Sequence, residues 1–281
     1  MEPVSKRKRK QTVRVTGLSL LAAIWLFPIL ISFASALKSP NDFIMTRFYH
    51  MPSRINLIEN LNTAITSFAL MRHFSSSLLY SIVGTLGCIL ISSMAAYGIS
   101  VVKPRFSFLL FVLIYAGTVF PFQMYLLPLY RIYISTNLYD TKIGMILFYA
   151  TICTPFATFV YRGHFMSISH EMKEAAMIDG CGALSAFPLI YAPLLKVPTA
   201  VVTVFQAMWI WNDLLFGMVL SQGPSVRPVM VSITQIAGEG GGNLTVLMTA
   251  VLVTSIPTLT LFVCLRNYFI QGTTFGVAKL K

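Results

Sequence analysis

Charged residues are scarce in this chain. They make up 11% of its 281 residues, and only nine residues are Asp or Glu. Because a soluble domain carries roughly a quarter of its residues as charged side chains, this scarcity excludes an ordinary soluble protein. The apolar residues, 56% of the total, lie in long continuous runs. Such runs indicate membrane-spanning helices, since the strands of a membrane β-barrel alternate apolar and polar residues.

Residue patterns of catalysis, nucleotide binding and metal binding are also missing. No G-x-x-x-x-G-K-[ST] stretch occurs, which excludes a P-loop for nucleotide phosphates within the chain. No Ser-His-Asp or Cys-His arrangement has its expected motif, and neither the cysteines nor the histidines have metal-ligand spacing. The residues concerned are Cys88, Cys153, Cys181, Cys264, His50, His73, His164 and His170. We therefore expect no enzyme activity, no cofactor and no metal in this chain.

Positive charge is the one kind of charge that the sequence has in excess. The net charge is +12, and five basic residues stand together at Lys6–Lys10, next to an apolar run. A basic cluster can bind nucleic acid, but this position favours a signal for membrane topology. We expect contact with membrane lipid and no binding of nucleic acid.

Six apolar segments are long enough to cross a membrane, since about 20 helical residues span a hydrocarbon core of about 30 Å. They are Val15–Leu37, Phe74–Val102, Phe106–Tyr130, Ile143–Tyr161, Thr199–Leu220 and Leu244–Leu265. A cleaved signal peptide is the alternative for the first segment, with Ala34-Ser35-Ala36 as the cleavage site. The apolar part of a signal peptide is about 7–15 residues, so the greater length favours an uncleaved span. Pro121, Pro128 and Pro155 are expected to kink the third and fourth spans.

The basic residues also orient the chain. Six spans place both termini on one side, and with the N-terminus in the cytoplasm twice as many Lys and Arg residues lie inside as outside, as the positive-inside rule requires. The predicted regions are a basic cytoplasmic N-terminus (1–14), a first transmembrane helix (15–37), an external loop (38–72), a transmembrane domain (73–266) and a cytoplasmic tail (267–281). We also expect a short amphipathic helix at Ile58–Phe68 and a Gly-rich external loop at Ser221–Asn243, whose glycine run Gly238–Gly242 is expected to be flexible.

One segment between the fourth and fifth spans carries acids, glycines and spaced prolines. Strong helix formers at Met172–Met177 predict a short helix outside the membrane, which Gly180 and Gly182 end. The pattern alone fits either an amphipathic re-entry helix with no partner or a helix that a partner protein contacts. The segment resembles the EAA loop of the permease subunits of bacterial ABC importers, which would lie here at 170–184. The matching residues are Glu174, Ala175, Ala176, Asp179, Gly180, Phe187, Ile190, Pro193, Leu194 and Pro198.

Two further motifs are similar to carbohydrate importers of the maltose-permease type within that family. The tail Asn267–Lys279 has an aromatic residue, a G-x-T and a closing lysine, and the run Trp209–Phe216 resembles the W-N-[DE]-F-L-F element. Cys181 stands where the EAA loop usually has alanine, and Ala192 stands where leucine is common. The resemblance implies an all-α, polytopic membrane protein with about six transmembrane helices, the type I ABC importer (MetI-like) transmembrane domain.

The resemblance also implies partners and roles. The chain would form half of the translocation path of a sugar importer in the bacterial cytoplasmic (inner) membrane, with both termini cytoplasmic. Its partners would be a second homologous permease, two ATPase subunits that hold ATP and Mg, and an extracytoplasmic sugar-binding protein. The residues that couple to the ATPase would be Glu174, Ala175, Ala176, Asp179 and Gly180. Gly240, Gly241 and Gly242 would contact the binding protein.

Trp209, Trp211, Asn212 and Asp213 are the candidates for the substrate path. Asp213 is an acid within an apolar run, and such residues usually face a bundle interior or a water-filled path. Aromatic faces suit the C–H faces of sugars, and amides and carboxylates suit their hydroxyl groups. Trp209 and Asp213 are at positions i and i+4, so they are expected to share a helix face. An interfacial tryptophan anchor and a structural hydrogen bond between subunits are the alternatives.

A stand-alone secondary carrier or channel is the alternative function, and a membrane scaffold that transports nothing is a third. A carrier should have intramembrane ionisable pairs and a repeat-related broken helix, whereas Asp213 is the only ionisable residue well inside a predicted span. The substrates compatible with the resemblance are oligosaccharides, acidic saccharides, polyols and glycerol-phosphate compounds.

Overall fold

The computed structural model describes residues 4–47, 49–169, 171–172, 181–238 and 244–278, with the side chains of 11–47, 49–169, 171–172, 181–238 and 244–266. All regular elements in these residues are helical, which confirms the all-α prediction. The α-helices are α1 (Val4–Ala36), α2 (Pro40–Met45), α3 (Leu57–Ser67), α4 (Leu70–Tyr97), α5 (Ser107–Ala116), α6 (Leu126–Ser135), α7 (Lys142–Phe165), α8 (Ala183–Ala186), α9 (Ala192–Leu194), α10 (Lys196–Trp211), α11 (Leu215–Leu220), α12 (Val229–Gly238) and α13 (Leu244–Ala278). Further helical turns are the π-helical Gly98–Val102 and Phe187–Tyr191 and the 3-10 turn Phe122–Tyr125.

Four helical segments are long and apolar enough to cross a membrane. They are Gln11–Ala36, Leu70–Val102, Lys142–Phe165 and Leu244–Arg266, and they coincide with the predicted first, second, fourth and sixth spans. A fifth candidate consists of two helices, Ala183–Leu194 and Lys196–Trp211, which meet at a bend of 76°. The predicted fifth span therefore differs from the observed helix at both ends: the helix begins before Thr199 and stops well before Leu220.

The predicted third span, Phe106–Tyr130, consists of two helices rather than one kinked helix. α5 ends at Ala116, and Pro121 has an extended ψ of 120° before the 3-10 turn that leads into α6. Proline has no N–H to donate and disfavours helical geometry in the residue before it. A helix therefore does not continue through Pro121. Pro155, in contrast, lies inside α7, whose helix continues past it.

The predicted loop Ser221–Asn243 also needs correction, because it contains the helix α12. The first residue of α12 and the segment before it are tied to α4 by hydrogen bonds. The Val229 N–H donates to Ser77 Oγ (2.7 Å), and the Tyr80 hydroxyl donates to the Val226 carbonyl (2.7 Å). The short helix predicted in the first loop is confirmed as α3.

The first of two compact units comprises Met1–Leu70 and Ile233–Ser255. Its polar centre is the buried Asn60, whose amide nitrogen donates to the carbonyls of Ala36 and Lys38, both at 2.9 Å. The Asn60 amide oxygen accepts a bond from the Thr245 hydroxyl at 3.3 Å. One amide thus joins the end of α1 to α3 and to the start of α13.

The second unit comprises Met71–Ser232 and Ile256–Lys281. In it, α4 lies close to α7, because a Cβ added at Gly84 or Gly87 would be only 3.0 Å from the Cβ of Tyr149 or Ala150. Helices α5 and α10 also pack on α7. Helix α7 is therefore the central element of this unit, and it supports the side chains described next.

Candidate functional site

Asp213 lies just before the short helix α11 and is not part of α10. α10 ends at Trp211, and the backbone turns at Asn212. The Asp213 carboxylate accepts bonds from the N–H groups of Phe216 (3.3 Å) and Gly217 (3.0 Å). An acidic side chain in this position satisfies the free N–H groups of a helix start and complements its dipole. The prediction that Trp209 and Asp213 share one helix face is therefore wrong, because the helix stops between them.

The Asp213 carboxylate also fixes α11 to α7. Its Oδ2 atom accepts a bond from the fully buried Tyr149 hydroxyl at 2.9 Å, and the Asp213 residue itself is 9% exposed. Next to this contact, Gly217 faces Pro228 so closely that an added Cβ would collide with the proline ring. The acid that the sequence singles out is therefore primarily a structural link between two helices.

Two cavities that share lining residues lie beside this link, and we refer to them together as the cleft. The first, of about 310 Å³, lies between α10, α7 and the turn after α5; the second, of about 500 Å³, extends from α10 to the start of α11. Phe122, Phe205 and Trp209 line both cavities. The Trp209 side chain is 37% exposed, and its ring contacts that of Tyr149 edge-on. The cleft therefore offers aromatic faces to whatever occupies it.

Gln206 is the polar residue of the cleft that sequence reasoning missed. It lies one turn before Trp209 on α10, lines the first cavity and is only 6% exposed. Its side-chain amide makes no hydrogen bond to any residue that the structure describes. An amide has two donor hydrogens and an acceptor oxygen, and in Gln206 these can pair with a ligand that enters the cavity. An uncharged amide inside an apolar run was the signal that could have identified it.

The four predicted path residues divide between two sides of α10. Trp209, Asn212 and Asp213 line the second cavity, and the exposed Asn212 amide donates to the Met208 carbonyl at 2.7 Å. Trp211 instead is buried edge-on against Phe74, with ring centroids 5.1 Å apart. Trp211 lines a separate, apolar groove next to α4. The structure thus brings three of the four residues together and separates Trp211 from them.

The predicted coupling residues Glu174, Ala175, Ala176, Asp179 and Gly180 lie outside the described residues, as do Gly240, Gly241 and Gly242. The flanks of the coupling segment are described, and Tyr97 of α4 joins them. The Tyr97 ring packs against Phe165, the last residue of α7, at 6.0 Å between centroids, and against Phe187 at 5.2 Å. The Tyr97 hydroxyl donates to the Ala183 carbonyl at 2.7 Å. Both ends of the coupling segment are therefore anchored at one position of α4.

Ionisable side chains that could hold a metal do not gather anywhere in the described part of the chain. No group of three or more His, Cys, Asp or Glu residues has a suitable arrangement there.

Comparisons with known proteins place the fold in a defined group. Residues 87–274 match the model of the family described as "Binding-protein-dependent transport system inner membrane component". The chain is 34% identical over 178 residues to a probable ABC transporter permease of Pyrococcus horikoshii, covering 63% of this chain and 65% of that protein. It is 29% identical over 274 residues to the melibiose/raffinose/stachyose import permease MelC of Bacillus subtilis, covering 96% of this chain and 98% of that protein. A bacterial ABC transporter involved in import of the acidic polysaccharide alginate has a similar fold, with a TM-score of 0.81 and 22% identity over 96% of this chain and 99% of that one.

Proposed function

The chain belongs to the family of binding-protein-dependent transport system inner membrane components, and on this premise we propose that it is a permease subunit of an ATP-driven sugar importer. Membership makes it a transport component and not an enzyme, and it implies an ATPase and a substrate-binding protein as partners. The sugar class is supported by the similarity to a permease named for melibiose, raffinose and stachyose import.

The free amide of Gln206 in an aromatic cleft is the observation that carries the sugar assignment. A saccharide offers hydroxyl groups, which can pair with both the donors and the acceptor of an amide. It also offers C–H faces, which stack on aromatic rings such as Trp209 and Phe205. Small-molecule sites typically have apolar walls with a small number of polar groups among them. The cleft therefore has both kinds of contact that a saccharide needs.

The predicted path residues take different roles in this proposal. Trp209 and Asn212 contact the sugar directly. Asp213 holds α11 against α7 through Tyr149 and so fixes the far wall of the cleft, where Leu214 and Leu215 line it. Trp211 supports the opposite side of α10 by packing on Phe74.

In this proposal the energy for transport comes from ATPase subunits that are separate from this chain. Two ATPase subunits, which bind ATP and Mg, dock on the EAA-like segment and contact Glu174, Ala175, Ala176, Asp179 and Gly180. The aromatic contacts of Tyr97 support this role, because they link both flanks of the segment to α4. A rigid-body movement of the docked ATPase would then reach α4 and α7 together.

A second homologous permease completes the path, and an extracytoplasmic sugar-binding protein delivers the sugar. We place both termini of the chain in the cytoplasm, on the basis of the twofold excess of Lys and Arg on that side. Gly240, Gly241 and Gly242 then lie outside the cell, where they contact the binding protein.

The test is ATP-driven sugar uptake by the complete importer, reconstituted in liposomes with Gln206→Ala. Loss of a hydrogen bond to the sugar is expected to reduce uptake about tenfold. Gln11→Ala is the matched control, because Gln11 is an exposed glutamine of α1 that lines neither cavity. Uptake by Gln206→Ala at the level of the Gln11→Ala importer would contradict the proposal.

A further inference from the structure

The charges around the cleft distinguish between classes of saccharide. Of the described residues that line its two cavities, none is Lys, Arg or His, and Asp213 is the one carboxylate among them. The chain has 21 Lys and Arg residues and a net charge of +12. The described lining of the cleft therefore has no cation, even though the chain as a whole is strongly basic.

An acidic saccharide would find no partner for its charge in such a cleft. Moving a carboxylate out of water into apolar surroundings is costly unless a cation pairs with it. The carboxylate of Asp213 would add repulsion between like charges. The aromatic walls would add more, because the face of an aromatic ring carries partial negative charge.

An uncharged saccharide meets none of these costs. Its hydroxyl groups can pair with the amides of Gln206 and Asn212, and its C–H faces can stack on Trp209. We propose that this cleft selects uncharged saccharides and rejects uronate saccharides, an inference that rests on the proposed function of the cleft as a sugar path.

The first experiment measures binding to the assembled permease–ATPase complex in the absence of the binding protein, so that the selectivity of the binding protein does not contribute. The probes are uncharged trisaccharides and trisaccharides of uronic acids with the same chain length. The uncharged set is expected to bind at least about tenfold more tightly, the size of a modest specificity difference. Equal affinity for the two sets, or tighter binding of the uronates, would overturn the inference.

The second experiment assigns the selectivity to this chain rather than to the partner permease. Gln206→Arg places a cation in the cleft, and it should raise affinity for the uronate trisaccharides at least about tenfold through a paired charge. Asn212→Arg offers the same change at an exposed position, where a large side chain does not disturb packing. Recovery of the intact complex by size exclusion verifies that each variant assembles.

The outcomes separate this inference from the proposed function. If Gln206→Ala weakens binding of uncharged sugars but neither arginine variant improves binding of uronates, the cleft is a sugar path without charge selection and the inference fails alone. If Gln206→Ala and both arginine variants leave all affinities unchanged, the proposed sugar path fails and the inference fails with it.

Discussion

Two aspartates hold the two ends of α11, and they differ mainly in burial. Asp213 accepts bonds from backbone N–H groups at the start of the helix, and Asp140 does the same just after its end, from Gln222 (2.7 Å) and Gly223 (2.8 Å). The N–H of Asp140 also donates to the carbonyl of Leu220, the last residue of α11, at 3.1 Å. Asp213 is almost fully buried and bonded to Tyr149, whereas Asp140 is half-buried.

The two carboxylates make the same kind of hydrogen bond to backbone N–H groups, but these bonds serve different purposes. Asp213 lies in the wall of the cleft, so its bonds set the shape of the candidate sugar path. Asp140 lines neither cavity, and its bonds hold the connection between α11 and α12. Removing either acid should destabilise the protein, but only removal of Asp213 should change how the cleft binds sugar.

The largest effect is expected from Asp213→Ala. This change leaves the Tyr149 hydroxyl and two N–H groups without their acceptor in a buried place, which should cost about 3 kcal/mol of stability. Thermal unfolding of the purified complex in detergent measures the loss, and sugar uptake should fall with it. Asp213→Asn keeps one acceptor oxygen and should lose less. A melting temperature for Asp213→Ala equal to the wild-type value would contradict the structural role of the acid.

A smaller effect is expected from Asp140→Ala, about 1 kcal/mol, because water can replace part of the lost bonding at a half-exposed position. The residue has a φ of 54°, which asparagine tolerates better than alanine does. Asp140→Asn is therefore the matched control and should be nearly as stable as the wild type. The affinity of the complex for sugar should be unchanged in both variants. A weakened affinity in Asp140→Ala would break the distinction between the two aspartates.

The sequence predicted the long helices well because their signal is continuous. The apolar runs behind α1, α4, α7 and α13 have no interruption that a span could not tolerate, and all four helices are present. The ends of the helices in the third and fifth predicted spans were not predicted, because hydropathy does not show where a helix stops. Pro121 separates the helices of the third span. The helix of the fifth span ends at Trp211, before Asp213, whose carboxylate accepts bonds from the first N–H groups of α11.

The arrangement of the candidate site was not predictable from the sequence. The family match confirms the resemblance to importer permeases, which was predicted from short motifs. Asp213 and Trp209 line one cavity, but they do not share the helix face that the sequence predicted. Gln206 was missed because an uncharged amide stands out less than an acid, and its lack of a partner becomes visible only once its neighbours are placed.

The most direct test of a sugar path in this cleft is protection of a cysteine by substrate. Asn212→Cys places a thiol at the exposed rim of the second cavity. Cys181 and Cys264 are replaced by serine as background, since Cys88 and Cys153 are buried. In the assembled importer, saturating sugar should slow labelling of the new thiol by a water-soluble maleimide several-fold, as expected when a ligand occupies the cavity. Labelling at the same rate with and without the transported sugar would contradict the account.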